Sequence, residues 1–291
     1  MTKYILTIML FFIQATPPPV DFQFSDSPNK KLATAINKRV RYTESFTAAY
    51  LVGENVEYYN HNGNLNTVYD IASITKTFTA IAVIKLQSDG KLHVDDKAAQ
   101  HMAFYDTNVT IRHLITHTAC KPYGKRYSYS NLNYVALKEI IESASGKKYH
   151  EFIEEKILIP LQMNDTTAKY SNGAGSIIST PRDLIKYMYM LSNYGKGVLT
   201  EKEYLLMMES TNEMESVGAY YWNTGGFEAF NDGEKITGFY KSGRWHESVC
   251  GIEIFPGGKA LLYIGKPWVS GTSGTILRWR NRTWRFLRQF I

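Results

Sequence analysis

The stretch Ser73-Ile-Thr-Lys76 leads into a run, Thr75 to Leu86 (TKTFTAIAVIKL), that is apolar on almost all sides. Such a run predicts a helix buried inside the protein. Residues three apart lie on the same face of a helix, so the serine and the lysine are expected to be neighbours. A lysine at the mouth of a buried helix is costly unless a group pairs with it or a reaction uses it. The stretch therefore indicates a serine nucleophile whose base is an amine, an arrangement suited to acyl transfer.

The pattern S-x-x-K occurs three times in the chain, so it has meaning only in its context. The copy at 27–30 lies in a proline-rich stretch, and the copy at 145–148 lies in a Ser-Gly-Lys-Lys turn at the end of a predicted helix. Only the copy at 73–76 opens a buried helix. A short motif remains a hypothesis until further residues support it.

Tyr129-Ser130-Asn131 is one of four Y-x-N sequences, and a short polar loop precedes it while a predicted helix follows. A loop tip in that position can present both side chains to a cleft. The alternative is that Tyr129 is merely packed and that Asn131 caps the next helix.

Lys241-Ser242-Gly243 occurs once, directly after a predicted strand over Ile236 to Tyr240. A glycine at that point allows a ligand to approach the strand edge closely. The alternative is a surface turn with a solvated lysine.

Together and in this order, the three motifs resemble those of the serine β-lactamase and penicillin-binding protein superfamily. The chain resembles the class C branch of this superfamily, which includes D-alanyl-D-alanine carboxypeptidases and esterases. Three further segments support the resemblance, which covers roughly residues 45 to 265. They are Thr110 to Thr118 (TIRHLITHT, similar to T-I-R-H-L-L-T-H-T-S-G), Pro160 to Thr166 (PLQMNDT, similar to P-L-G-M-x-x-T) and Ala174 to Leu184 (AGSIISTPRDL, similar to G-G-L-x-S-T-x-x-D-L).

The chain also departs from the family pattern around the expected cleft. Ala119-Cys120-Lys121 replaces the family's glycine-containing sequence, and only about ten residues separate His117 from the tyrosine motif. Ser242 stands where threonine is usual. A shortened rim indicates a more open cleft. Within the first family segment, Arg112, His113 and His117 are interpreted as structural residues.

The resemblance implies an α+β fold of the β-lactamase/transpeptidase type, in which an antiparallel sheet from both chain ends is flanked by helices and holds a mostly helical middle lobe. The local patterns agree, since strand signals occupy both ends of the chain and helical signals its middle. We expect one catalytic domain over 30–291, with a helical lobe at about 74–194 and an α/β lobe from 30–73 and 195–291.

The N-terminus has the shape of a secretory signal. Lys3 precedes an apolar stretch, Tyr4 to Ile13, which is too short to span a bilayer comfortably. We expect a signal peptide over 1–15, a linker over 16–29 and export to the periplasm or the extracellular space. The alternative is an uncleaved N-terminal membrane anchor.

Composition places few other limits on function. The net charge of +6 over 291 residues favours anionic surroundings such as cell-wall polymers or membrane surfaces. Basic and aromatic residues interleave only in the tail, Ile276 to Ile291, so nucleic-acid binding is not expected. We expect that tail to pack on the sheet as a helix, with membrane contact as the alternative.

Cys120 and Cys250 lack metal-site spacing and are expected to be free thiols, although one disulfide is possible in principle.

The resemblance also implies roles for the motif residues. Ser73 attacks a carbonyl carbon and forms an acyl-enzyme, with either Lys76 or Tyr129 as the base. Asn131 holds Lys76 and binds the substrate's amide. Lys241 and Ser242 are expected to bind a substrate carboxylate, and Gly243 is expected to let the substrate approach the strand edge. The backbone N–H groups of Ser73 and Arg244 are expected to form an oxyanion hole.

The predicted function is therefore a serine hydrolase that acts on an amide or ester, such as a D-amino-acid peptide, a cell-wall fragment, a β-lactam or a short ester. No metal or organic cofactor is expected. The alternative is a catalytically weak ligand-binding or penicillin-sensing protein on the same fold, because a fold does not guarantee an activity.

Overall fold

The computed structural model describes residues 20–26, 40, 43–103, 106–209, 220–222, 225–231, 236–245 and 248–267. The predicted signal peptide and the predicted helical tail lie outside the described residues. Part of the predicted linker is described, and its residues Gln23–Ser25 form a short exposed strand.

The strands come from both ends of the described chain. Their bounds are Gln23–Ser25 (β1), Thr43–Val52 (β2), Asn55–His61 (β3), Tyr69–Asp70 (β4), Ile178–Ser179 (β5), Tyr220–Trp222 (β6), Glu228–Asn231 (β7), Ile236–Trp245 (β8), Ser248–Phe255 (β9) and Lys259–Pro267 (β10). Eight of these form one sheet in the order β1-β3-β2-β10-β9-β8-β7-β6, and β4 and β5 form a small separate pair. All neighbours in the large sheet are antiparallel except β1 and β3.

The helices lie mainly between β4 and β6 in the chain. Their bounds are Thr75–Ser88 (α1), Ile111–Ile115 (α2), Asn131–Ser145 (α3), Tyr149–Ile153 (α4), Pro181–Ser192 (α5) and Glu201–Met208 (α6), with a π-helical turn at Glu154–Leu158 and 3₁₀ turns at Ala72–Ile74 and Ala98–Gln100. The predicted α+β architecture, a sheet from both ends of the chain with helices from its middle, is therefore confirmed.

Helix α1 is the central helix of the core, as its apolar sequence predicts. All of its residues are buried except Lys85, Gln87 and Ser88. Its buried threonines find partners: Thr79 donates to the Gly173 carbonyl at 2.7 Å, and the Tyr187 hydroxyl bonds to Thr77 Oγ1 at 2.8 Å. Because these polar groups are satisfied, the helix can be enclosed on all sides without an unpaired hydroxyl.

The end predicted for the strand before Lys241 is wrong. Strand β8 continues to Trp245, because β9 pairs with it from Phe239 to Trp245. Strand β7 pairs with β8 only as far as Tyr240, which lies opposite Glu228. Lys241-Ser242-Gly243 therefore belongs to a strand and not to a following turn. Among the described helices, none is long and apolar enough to cross a membrane.

Candidate active site

Ser73 lies in the 3₁₀ turn that leads directly into α1. The preceding residue, Ala72, has a φ of +46°, in the left-handed region that a residue with a side chain rarely adopts. The Asp70 carboxylate accepts the Ala72 N–H at 2.7 Å and helps to hold this conformation. Strain of this kind persists only where the surroundings enforce it, and it is frequent at functional sites.

Strands β8 and β9 press against the turn that carries Ser73. A Cβ atom added to Gly243 would lie 2.7 Å from the Ile71 carbonyl oxygen and 2.9 Å from Ala72 Cβ. Cys250 on β9 donates its S–H to the same Ile71 carbonyl at 3.1 Å, and burial raises the pKa of this thiol, which keeps it protonated. The glycine is therefore needed for the nucleophile turn to pack on β8, a requirement that its position in the sequence did not indicate.

Gly243→Ala is expected to lower both stability and acylation, because the new methyl group would push the Ser73 turn away from β8. Overpacking of this kind costs about 1–3 kcal/mol of stability. Thermal melting and the rate of acylation measure the two effects. Gly238→Ala is the matched control, since Gly238 also lies on β8 but away from Ser73, and its Cβ would lie 2.9 Å from the Ile254 carbonyl of β9. Equal acylation losses in both variants would contradict a specific role for Gly243.

Lys76 is fully buried and reaches three oxygen atoms. Its Nζ lies 3.1 Å from Ser73 Oγ, 2.8 Å from Asn131 Oδ1 and 2.7 Å from the Ala174 carbonyl oxygen. Burial, and secondarily the charge of Lys241, lower the pKa of Lys76 to about 6. The amine is therefore largely neutral at pH 7.

Lys241 is the second buried lysine of the site, with 1 % of its surface exposed. Burial lowers its pKa to about 7, and the nearby charge of Glu228 acts in the opposite direction. The two lysines thus disfavour each other's charged forms, while Glu228 favours that of Lys241.

Tyr129 connects these groups. Its hydroxyl lies 2.8 Å from Ser73 Oγ, and its ring centroid lies 5.1 Å from Lys76 Nζ and 5.7 Å from Lys241 Nζ. Burial raises the pKa of Tyr129, and Glu228 adds to the rise, whereas the hydrogen bond with Ser73 lowers it. The net shift is upward, so the phenol is protonated at neutral pH.

Asn131 is the first residue of α3, whose N-cap is Ser130. Its side-chain oxygen accepts a hydrogen bond from Lys76 and does not cap the helix. The structure therefore places Asn131 in the site, and the alternative that its side chain caps the helix is wrong.

A cleft of about 330 Å³ opens above these residues. It is lined by Ala72, Ser73, Tyr129, Asn131, Asn172, Ala174, Gly175, Ser176, Glu228, Lys241, Ser242, Arg244 and Trp245. Most of the residues expected at the site from the sequence line this one cleft. Of the other two, Lys76 is buried next to Ser73, and Gly243 packs against the turn that carries Ser73.

Sequence reasoning missed two contributions to this site. Ala174 lies in a segment that resembles the family, but the resemblance assigns no role to its carbonyl group, and Glu228 belongs to no recognised motif. A backbone carbonyl has no signature in a sequence, and an isolated glutamate is indistinguishable from one on the surface. Only the pairing of β7 with β8 places Glu228 beside the cleft.

The neighbouring histidines make structural contacts. His117 is buried with its ring centroid 4.4 Å from that of Tyr129, and its Nδ1 accepts the Ser130 N–H at 3.2 Å. Burial and the charges of Lys241 and Lys76 lower the pKa of His117 to about 2, so it is neutral.

His113 completes a capping box with Thr110 at the start of α2. Arg112 forms ion pairs whose partners are Asp95 and Glu209.

Cys120 and Cys250 are free thiols, as expected. Within the described part of the chain, no group of three or more histidine, cysteine or acidic side chains could hold a metal ion.

The family model for β-lactamase matches residues 43–252. The chain belongs to the β-lactamase family. This confirms the resemblance drawn from the motifs. Among curated relatives of this family member, protein flp of Staphylococcus aureus is 28 % identical, over 51 % of this chain and 37 % of its own length. The chain thus spans little more than a third of that relative.

Solved structures show the same β-lactamase-family fold. The octameric penicillin-binding protein homologue from Pyrococcus abyssi superposes with a TM-score of 0.73 and 21 % identity, covering 82 % of this chain and 73 % of that one. A D-stereospecific amidohydrolase from Streptomyces sp. gives 0.71 and 17 % identity, covering 86 % and 98 %. At these identities the likeness concerns the fold alone.

Proposed function

We propose that this protein is a serine hydrolase that cleaves an amide or an ester through an acyl-enzyme on Ser73. The observation that carries the proposal is the chain of contacts from the Tyr129 hydroxyl to Ser73 Oγ at 2.8 Å and from Ser73 Oγ to Lys76 Nζ at 3.1 Å. A nucleophile within hydrogen-bond distance of a base, with a third group to orient the base, is the arrangement that covalent catalysis requires. Asn131 and the Ala174 carbonyl are the orienting groups.

The contacts of Lys76 suit a neutral amine. A neutral amine has two N–H donors and one lone pair, and Asn131 Oδ1 and the Ala174 carbonyl are both pure acceptors at these atoms. With both N–H groups donated to them, the lone pair is left for the Ser73 hydroxyl, which then donates to Nζ. Ser73 Oγ can accept from Tyr129 at the same time. This arrangement favours Lys76 over Tyr129 as the base, because the raised pKa of Tyr129 keeps its proton in place.

The reaction follows from this arrangement. Lys76 takes the proton of Ser73 as Oγ bonds to the carbonyl carbon, and the carbonyl oxygen becomes an oxyanion. The backbone N–H groups of Ser73 and Arg244 are proposed to stabilise it, each being worth about 3 kcal/mol in the transition state. The bond to the leaving group then breaks, Tyr129 gives that group its proton, and Lys76 returns a proton to Tyr129. Water completes hydrolysis of the acyl-enzyme.

The proposed reaction is one specific type, but several classes of substrate could undergo it. D-amino-acid peptides, β-lactams and short esters fit the family, and one solved structure with this fold is that of a D-stereospecific amidohydrolase. Export, with cell-wall fragments as substrates, remains a proposal based on the N-terminal sequence and the basic net charge.

The proposed function is tested with nitrocefin, a D-Ala-D-Ala peptide and short-chain p-nitrophenyl esters, together with intact-protein mass spectrometry after exposure to penicillin. A covalent adduct and turnover of at least one substrate are expected. Rapid nitrocefin turnover would indicate β-lactamase activity, whereas lasting labelling by a fluorescent penicillin would indicate a carboxypeptidase-like or sensing protein. Absence of both an adduct and turnover would refute the hydrolase.

Acylation by a neutral p-nitrophenyl ester is expected to rise between about pH 5 and about pH 7 and then to level off. The pKa of Lys76 is about 6, so the base is protonated and inactive below it and neutral above it. Stopped-flow release of p-nitrophenol at each pH gives the profile, and circular dichroism at the same pH values confirms that the protein stays folded. A rate that continues to rise towards pH 10 would instead indicate Tyr129 as the base.

A further inference from the structure

Strand β8 gives the cleft two ends on either side of Ser73. Gly243 lies against the nucleophile turn, so Ser73 faces the middle of the strand segment that borders the cleft. Lys241 lies to one side of that point, next to the residue that pairs with Glu228. Arg244 and Trp245 lie to the other side, and both line the cleft with exposed side chains.

Tyr129 identifies which of these ends holds the leaving group. In the proposed reaction its hydroxyl protonates that group, and its ring lies 5.7 Å from Lys241 Nζ. The leaving group therefore departs beside Tyr129 and Lys241. Glu228 also lies at this end, since its charge acts on both Tyr129 and Lys241 and its side chain lines the same cleft.

We propose that Glu228 is a specificity-determining residue that favours leaving groups carrying an ammonium group, or no charge, over leaving groups carrying a carboxylate. This inference rests on the proposed hydrolase function. A carboxylate on the leaving group would be placed near a second carboxylate in a partly enclosed cleft, where like charges repel more strongly than in bulk water. An ammonium group in the same place would be attracted.

Lys241 does not cancel this effect. Lys241 is buried and its pKa is lowered to about 7, so it carries only part of a positive charge at neutral pH, whereas Glu228 is half-buried and its side chain lines the cleft. The carboxylate-binding role expected of Lys241 and Ser242 from their sequence motif is thereby weakened. Discrimination at such a site arises as much from the repelled substrate as from the favoured one.

The test uses three thioesters with one acyl group, hexanoyl, and leaving thiols of different charge: thiocholine, 2-mercaptoethanol and 3-mercaptopropionate. A single thiol reagent follows all three. We expect the wild-type kcat/KM for the thiocholine ester to exceed that for the mercaptopropionate ester by about tenfold or more, and Glu228→Gln to reduce this ratio by about tenfold. Glu139→Gln, which removes an exposed carboxylate on α3 outside the cleft, should leave the ratio unchanged.

An unchanged ratio in Glu228→Gln, or a wild-type preference for the anionic leaving group, would overturn the inference. Binding separates this outcome from failure of the hydrolase proposal. In a Ser73→Ala background, calorimetry compares 4-phenylbutylamine with 4-phenylbutyrate, neither of which needs to react. Tighter binding of the amine that Glu228→Gln removes supports the inference even if no thioester is hydrolysed, and equal binding of the two ligands refutes it.

Discussion

Replacing Ser73 with alanine is expected to abolish the covalent adduct and to lower kcat/KM by about 10⁴-fold or more. Alanine has no atom that can bond to the carbonyl carbon, so no acyl-enzyme can form. The hydroxyl is half-exposed at the cleft and contributes little to the core, so the variant should fold normally. Intact-protein mass spectrometry detects the adduct, and ester hydrolysis gives the rate.

Ser145→Ala is the matched control for this experiment. Ser145 begins another S-x-x-K sequence, at the end of α3, and lies outside the cleft. This variant should acquire the adduct as the wild type does. An adduct that survives in Ser73→Ala would place the nucleophile elsewhere in the chain.

Lys76→Met is expected to slow acylation by about 10³-fold while the protein still folds. Methionine fills most of the volume of the buried lysine stem but supplies no group that can take the serine proton. Because Lys76 is largely neutral at pH 7, the substitution removes no full buried charge, and its main cost is the loss of the hydrogen bonds to Asn131 and Ala174. Burst kinetics with a p-nitrophenyl ester measure acylation, and thermal melting checks the fold.

The control for this variant is Lys148→Met, which changes the exposed lysine of the S-x-x-K sequence at 145–148. It should leave the burst rate unaltered. If Lys76→Met acylated at the wild-type rate, lysine would have no part in the mechanism, and Tyr129 would be the remaining candidate for the base.

Sequence patterns predicted which helices and strands hold the site more accurately than they predicted the residues at which those elements end. The apolar run after Ser73 predicted the buried helix α1, and the three motifs taken together predicted that Tyr129 faces a cleft, which the loop before Asn131 alone left open. The end of β8 was predicted five residues too early, at Tyr240, because the strand is continued by its pairing with β9, which lies further along the chain. The same pairing explains why Gly243 supports the Ser73 turn, a role that its tripeptide could not reveal.

What the sequence determined by itself is the local pairing of nucleophile and amine. Helical spacing makes Ser73 and Lys76 neighbours, and the apolar run that follows buries the lysine. Both properties depend only on residues adjacent in the chain.

The electrostatic setting of that pair was decided by the tertiary structure alone. Ala174, which accepts from Lys76, is 98 residues away from it in the chain, and Lys241 and Glu228 are contributed by two strands of the sheet. These distant groups determine which form of Lys76 is stable and which charge the cleft repels, because electrostatic interaction depends on distance in space. Local sequence patterns carry no information about that distance.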